Sequence, residues 1–144
     1  MLDRNEKLTT HFRFGAFLVS KDYPELAAAL TPSGIHTNNL FLLCATILEP
    51  VRMETSIGPI IILSGYRDIF LNDAVGGATN SLHRFGKAAD ITPEDLGSIH
   101  LLFAVLQHMV PHAWTQLIWY KKKNFIHVAL PHPGIPRMLE IKDR

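Results

Sequence analysis

The sequence predicts a single α+β domain in which a small antiparallel sheet is covered by packed helices. Its 144 residues are the length of one domain with its own hydrophobic core. Short β-prone segments alternate with stretches of helical period, and two of these segments flank a short polar turn, as the strands of a hairpin do. We therefore expect residues 1–144 to form one domain, and we expect a monomer.

Composition and charge argue against several classes of function. The formal net charge of +1 supplies no field that would attract nucleic acid or a membrane surface. No apolar run approaches the length of a membrane span, and the polar N-terminus lacks the apolar stretch of a signal peptide, so we expect cytoplasmic synthesis without one. The single cysteine, Cys44, lies in an apolar run, which favours a small buried side chain over a thiol nucleophile.

The first half of the chain predicts two helices and a strand. Apolar side chains in residues 8–19 predict a short helix, and residues 30–34 predict a loop. From residue 37 to about 53 the apolar positions follow helical spacing, and Pro50 is expected to kink or shorten the last turn. Residues 59–65 combine β-branched side chains with a final glycine, which predicts a buried strand.

The middle of the chain predicts a short helix, a short strand and a longer helix. Residues 68–75 form the short helix, closed by two glycines, and residues 88–92 form the strand. The longer helix is expected to begin at Thr92, because a threonine followed by proline and two acids is a typical helix start. It should continue to about Val110, where Pro111 stops it.

The last third of the chain predicts a hairpin and a final strand. Residues 116–120 and 125–130 are the two hairpin strands, joined by a solvated lysine-rich turn, and residues 138–141 follow after a loop. Side chains alternate between the two faces of a strand. His127 should therefore project from the opposite face to the core-like Ile126 and Val128.

Two histidines and one carboxylate form a candidate metal site. His83 precedes Asp90 by seven residues, with small residues between them, and the predicted hairpin carries His127. Two imidazoles and a carboxylate are good zinc ligands, and three protein ligands leave one position open, as a catalytic zinc requires. The spacing alone also fits a loop histidine, a capping aspartate and a half-buried strand histidine. We do not expect the other histidines to be ligands; they are His11, His36, His100, His108, His112 and His132.

Several motifs, in one order along most of the chain, give the sequence a family resemblance. It resembles the zinc D-Ala-D-Ala carboxypeptidase family, in its short peptidoglycan-peptidase branch with a hedgehog-type zinc fold. The matching stretches are Leu8-Thr9-Thr10-His11-Phe12, Ser64-Gly65-Tyr66-Arg67, residues 72–81, the SxHxxGxAxD signature formed by Ser81, His83, Gly86, Ala88 and Asp90, and a closing block of Gln116-Leu117-Ile118-Trp119 with Ile126-His127-Val128.

The resemblance implies roles for individual residues. His83, Asp90 and His127 would bind Zn²⁺ and leave its fourth position for water. Arg67 would hold or polarise the substrate carbonyl, since a guanidinium suits developing negative charge, and Ser81 would hydrogen-bond the substrate. An arginine is more often a surface ion pair, but its place directly after a predicted buried strand and a glycine favours the substrate role. The implied substrates are the stem peptides of peptidoglycan.

One position departs from the family pattern. The family carries a glutamate after the QLIW element, expected to be the general base, whereas this chain has Tyr120. Between Asp95 and Glu140 there is no acidic residue, so a small shift of register cannot replace it. Tyr120 could assist through its phenol, or His132 or Glu140 could reach the site. Phe125 also replaces the more usual tryptophan, a change of little consequence.

Two functions therefore remain open from the sequence. The protein is either a zinc peptidase that cuts D-amino-acid-containing peptides of peptidoglycan, or a catalytically inactive zinc-containing module that binds wall peptides or has a structural role. The three ligands with Arg67 and Ser81 favour the peptidase, and Tyr120 favours the inactive module. A wall peptidase made without a signal peptide would act after lysis or from a particle, which fits a phage lysis or entry protein.

Overall fold

The computed structural model describes residues 2–54, 56–109 and 113–144 and confirms the α+β class. Strands β1 (Lys7–Thr9) and β2 (Phe12–Arg13) form a small hairpin of their own. The main sheet has five strands in the order β3-β4-β6-β5-β7. They are β3 (Ile60–Ser64), β4 (Ala88–Pro93), β5 (Gln116–Tyr120), β6 (Phe125–Ala129) and β7 (Met138–Lys142). All pairs in this sheet are antiparallel except β5 with β7, which is parallel.

Helices cover one face of the main sheet. In the described part of the chain they are α1 (Pro24–Ala28), α2 (Gly34–Leu43), α3 (Glu49–Arg52), α4 (Ile69–Ala74) and α5 (Ile99–Gln107), with 3-10 helices at Phe14–Phe17, Leu82–Phe85 and Leu96–Ser98. The core lies between these helices and the sheet side chains Ile91, Leu117, Ile126 and Val128, all of which are fully buried. Because alternate residues of β4 and β6 fill this core, the residues between them face the opposite side of the sheet.

A π-helical segment, Cys44–Leu48, joins α2 to α3 into one long helical stretch. Pro50 lacks the N–H that an α-helix would direct at Thr46, and its ring would crowd that carbonyl. The helix continues with one wider, π-helical turn, in which the N–H of Glu49 donates to the carbonyl of Cys44, five residues back. The predicted helix at residues 37–53 is thus confirmed with an earlier start, because Ser33 caps α2 through the N–H of His36.

The short helix predicted at residues 8–19 is wrong over most of its length. β1, β2 and the 3-10 helix Phe14–Phe17 occupy that stretch. The turn between the two strands is held by Glu49, whose carboxylate accepts from the backbone N–H of His11 at 2.7 Å and contacts its ring nitrogen Nδ1 at 2.6 Å. This contact with α3 fixes an extended conformation that local spacing does not reveal. Helix α1 was not predicted at all.

Two further expectations need correction. The strand predicted at residues 59–65 is present as β3, but it is an edge strand rather than a buried one, and Ile61 and Leu63 are 44% and 42% exposed. The helix predicted from Thr92 begins at Ile99, because Thr92 belongs to β4 and its hydroxyl donates to the carbonyl of Asn124. Pairing with β3 and β6 outweighs the local helix signal.

The remaining elements follow the predictions. The hairpin β5–β6 and the strands β4 and β7 lie where they were expected, and Asp68 caps α4 through the N–H of Leu71. Helix α5 ends at Gln107, and the predicted stop at Val110 and Pro111, like His112, lies outside the described residues. Among the described residues, no helix is both long and apolar enough to cross a bilayer.

Gly86 yields a stability prediction with an internal control. Its φ of +70° is left-handed, and a Cβ there would lie 2.6 Å from the carbonyl oxygen of His36. Gly134 has a φ of +80° with open space around it. We expect Gly134→Ala to lower the free energy of unfolding by about 1–2 kcal/mol, the cost of left-handed backbone, and Gly86→Ala to lower it further because of the clash. Urea denaturation with excess chelator measures both, and equal losses would contradict the clash.

Candidate metal centre

One row of residues crosses the sheet on the face turned away from the core. Ser64, Asp90, His127 and Ile118 lie opposite one another on four neighbouring strands, and Glu140 of β7 lies beside Ile118 at the end of the row. Side chains opposite one another on paired strands share a face, with the strands about 4.8 Å apart. The register therefore brings Asp90 and His127 together as direct neighbours.

A tight turn brings His83 to the same place. The 3-10 helix Leu82–Phe85 is capped by Ser81, whose hydroxyl oxygen accepts from the N–H of His83 at 3.3 Å. Gly86 ends this helix in a left-handed conformation and allows the chain to pass closely over the carbonyl of His36 before β4 begins. The small residues between His83 and Asp90 thus fold the two side chains toward each other.

The predicted ligands converge. One donor atom from each of His83, Asp90 and His127 lies within 4.8 Å of the other two. Oδ1 of Asp90 is 3.3 Å from Nε2 of His83 and 2.9 Å from Nδ1 of His127. His83 is only 3% exposed. The chain therefore builds a compact, largely desolvated set of two imidazole nitrogens and one carboxylate.

The hydrogen bonds of the two histidines select which nitrogen faces the cluster. The carbonyl of Gly65 can only accept, so Nδ1 of His83 donates to it at 2.7 Å and Nε2 carries the free lone pair. Burial lowers the pKa of His83 and keeps this imidazole neutral. On the other side of the cluster, Nε2 of His127 donates to Oε1 of Gln116 at 2.9 Å, which leaves Nδ1 turned toward Asp90.

This arrangement calls for a cation. Burial raises the pKa of the Asp90 carboxyl, but its polar contacts with both histidines outweigh burial and lower that pKa overall, so the group is a carboxylate. Nε2 of His83 lies 3.3 Å from an oxygen of this carboxylate, close enough for both atoms to bind one ion. A metal ion bound there would take the place of the direct contact between the two side chains. Two nitrogens and one oxygen suit zinc, whereas magnesium and calcium prefer oxygen ligands alone.

Arg67 lies beside the cluster and is held in place on three sides. Its Nη2 is 3.5 Å from Oδ2 of Asp90, its Nε donates to Ser64 Oγ at 3.2 Å and its Nη1 donates to Asn72 Oδ1 at 3.4 Å. A register shift in β3 between Ile62 and Ser64 places Ser64 opposite Asp90 and within reach of the guanidinium. Arg67 is thus a positioned cation, not the solvated surface ion pair that arginines usually form.

An open cleft of about 520 Å³ lies over the cluster. Arg67, Ser81 and Tyr120 line it together with His83, Asp90 and His127, so the structure brings all six predicted site residues to one cavity. Tyr120 stacks on Phe125 with ring centroids 4.7 Å apart. Burial, with a further contribution from Asp90, raises the pKa of the Tyr120 phenol, which therefore stays protonated and can donate a hydrogen bond.

The other two groups considered as a replacement base do not line this cleft. His132 contacts Lys87, with its Nδ1 3.0 Å from the ammonium, and stacks near Phe85. Glu140 lies one strand beyond Ile118, and its nearest cation is Lys142 at 3.9 Å. Asp90 is the one carboxylate among the described residues that line this cleft, and it belongs to the candidate ligand set.

Sequence reasoning assigned no role to two residues that position the site, although both lie in stretches that match the family. Gln116 orients His127, and the buried Asn72 links Arg67 to the following loop by donating to the carbonyl of Ala78 at 2.9 Å. Strand alternation could have identified Gln116, because it is four residues before Tyr120 and so shares its face. Asn72 lies in the matching stretch 72–81, but its contact with Arg67 depends on the packing of α4 and could not be read from that stretch.

Comparisons with known proteins agree with this geometry. A family model described as Peptidase M15 matches residues 22–129, well over half of the chain. The zinc D-Ala-D-Ala carboxypeptidase of Streptomyces albus G is 36% identical to this chain over 61 residues, which cover 42% of this chain and 24% of that protein. The match thus spans about a quarter of the length of that curated relative.

Gln116 provides a test of the metal geometry. Gln116→Leu removes the acceptor that orients His127, and we expect zinc affinity to fall by about 10- to 100-fold, the usual effect of losing a hydrogen bond to a metal-bound histidine. Gln116→Glu keeps an acceptor and should retain the affinity. Competition with a chromophoric chelator measures both variants. Unchanged affinity in Gln116→Leu would show that His127 is oriented by other contacts.

Proposed function

The chain belongs to the peptidase M15 family, and on that premise we propose that it is a zinc-dependent peptidase acting on D-amino-acid-containing peptides of peptidoglycan. The observation that carries the proposal is the convergence of His83, Asp90 and His127 beside Arg67 in an open cleft. The similarity to a protein named zinc D-Ala-D-Ala carboxypeptidase supports both the metal and the class of substrate.

The cluster is the zinc site in this proposal. His83 would bind the ion through Nε2, His127 through Nδ1 and Asp90 through its carboxylate. Zinc held by three protein ligands supplies Lewis-acid chemistry and makes water acidic enough to be a nucleophile near neutral pH. The net reaction is hydrolysis, in which the amide C–N bond breaks, the acyl carbon gains the hydroxyl oxygen and the leaving nitrogen gains a proton.

Arg67 and Ser81 provide the contacts with the substrate. The guanidinium of Arg67 is fixed by Ser64 and Asn72, so it would donate to a substrate carbonyl oxygen without reorganising as negative charge develops there. The hydroxyl oxygen of Ser81 accepts from the N–H of His83, and its own hydrogen remains available. Since Ser81 lines the same cleft, it would donate that hydrogen to the peptide backbone.

Tyr120 occupies the position of the expected general base and would therefore limit the turnover rate of such an enzyme. Its raised pKa excludes it as a base at neutral pH and leaves the phenol as a hydrogen-bond donor within the cleft. A general base contributes about 10²–10⁴-fold to rate, so we propose a peptidase whose turnover is reduced by this substitution. The second candidate is an inactive zinc-containing module that binds wall peptides, and the observation that favours it is the lack of a free carboxylate in the described lining of the cleft.

A metal and activity assay separates the two candidates. We expect purified protein to contain stoichiometric zinc and to cleave peptidoglycan fragments or peptides ending in D-Ala-D-Ala, and we expect His83→Ala to lose both the zinc and the cleavage. His108→Ala is the matched control, since His108 is exposed and follows α5 away from the cluster. Stoichiometric zinc with no cleavage would favour the binding module, and absence of zinc would overturn both candidates.

Substitution of Tyr120 tests the role of the missing carboxylate. Tyr120→Glu should raise the hydrolysis rate of the zinc-loaded protein by about 10²–10⁴-fold, because it supplies a general base. Tyr120→Phe keeps the ring stacked on Phe125 but removes the hydroxyl, and serves as the control for packing. A rate for Tyr120→Glu no higher than that of the parent would show that the base position lies elsewhere.

A further inference from the structure

The last strand, β7, forms an edge of the main sheet and exposes apolar side chains there. Leu139 and Ile141 lie beside the buried Leu117 and Trp119 of β5, so their side chains share the face that the helices cover. They are nevertheless 43% and 52% exposed. In the described part of the chain, the layer of helices therefore ends before β7 and leaves these two side chains in contact with solvent.

The backbone of the same two residues points away from the sheet. The N–H of Met138 donates to the carbonyl of Thr115, in the direction of β5. Because this direction alternates along a strand, the N–H and C=O groups of Leu139 and Ile141 point to the other side. β7 is last in the sheet order, so no strand of the described residues lies on that side. Such a row of backbone groups is a template for pairing with a further strand.

The opposite edge of the sheet is less suited to such pairing. β3 changes register between Ile62 and Ser64, and an irregularity of this kind interrupts the row of groups that a further strand would need. β7 pairs with β5 over all five of its residues without a shift of register. It also contains no proline. Of the two edges, β7 is therefore the one that can accept another strand.

The charges of β7 are complementary to those of a second copy of the same strand. If two copies pair antiparallel with Ile141 opposite Ile141, each Glu140 lies opposite a Lys142, which gives two opposite-charge pairs. With Glu140 opposite Glu140, two like charges would meet. With Leu139 opposite Leu139, each Glu140 would lie opposite Met138, and no charge pair forms. Within one chain, Nζ of Lys142 is 3.9 Å from Oε2 of Glu140, so both groups can accept a closer partner.

We propose that β7 is a homodimer interface, in which two copies of the chain pair antiparallel with Ile141 at the two-fold axis. This dimer replaces the monomer expected from the sequence. Ile141 exchanges both of its outward backbone hydrogen bonds with Ile141 of the second copy. Because residues opposite one another share a face, the two candidate metal centres lie on the same face of one continuous sheet. The interface contains no residue of the candidate ligand set, so the inference does not depend on the proposed function.

Sedimentation of the full chain over a range of concentrations tests the interface. We expect a monomer–dimer equilibrium for the parent protein. Ile141→Lys should weaken this association by at least about tenfold, because it places two lysines opposite each other at the axis. Ile61→Lys is the matched control, since Ile61 is 44% exposed on the other edge strand, and it should leave the association unchanged. A parent that stays monomeric, or equal effects of the two substitutions, would overturn the inference.

Exchange of the two charges tests the register. Glu140→Lys alone and Lys142→Glu alone each turn two opposite-charge pairs into like-charge pairs, so each should weaken self-association by about 10- to 100-fold. When the two variants are mixed, both opposite-charge pairs are restored, and a heterodimer should form with an affinity close to that of the parent. This recovery also shows that both variants are folded. A mixture that does not associate, or a Lys142→Glu variant that self-associates like the parent, would overturn the inference.

Discussion

The close approach of the Asp90 carboxylate to His83 and His127 is the constraint on which the site depends. A carboxylate in a largely desolvated place is costly unless polar or charged partners compensate it, and here the two imidazoles and Arg67 are those partners. Asp90 belongs to the second strand of the sheet, and the carbonyl of Gly65 fixes the orientation of the His83 ring. A cation bound by these groups would exchange their mutual contacts for metal–ligand bonds, as the proposed function requires.

Most elements of the fold and the candidate site residues could be predicted from the sequence. The elements that could not be predicted share one cause. The hairpin β5–β6 follows from alternation, and the convergence of the candidate ligands His83, Asp90 and His127 follows from motifs that resemble those of the family. The hairpin β1–β2 does not, because Glu49 of a distant helix fixes its turn. Thr92 likewise carries a helix signal but pairs in a sheet. Local patterns fail where contacts distant in sequence supply the larger energy, as they do at these positions.

Hydrolysis by a zinc peptidase requires groups that hold the metal and the substrate, and also a group that accepts a proton from water. The groups that would hold a metal and a substrate carbonyl are all in place, and each is fixed by a hydrogen bond to a second residue. The group that would accept a proton is not, because Tyr120 carries a phenol with a raised pKa and Glu140 lies one strand too far along the sheet. In the proposed function, binding and catalysis would therefore depend on different residues of this cleft.

An X-ray absorption spectrum at the zinc edge of the metal-loaded protein tests the central claim most directly. The account predicts one zinc per chain, bound by two imidazole nitrogens and by oxygen at about 2.0–2.2 Å. A first shell with a single imidazole, or a sulfur ligand at about 2.3 Å, would contradict the assignment of His83, Asp90 and His127 as the metal ligands.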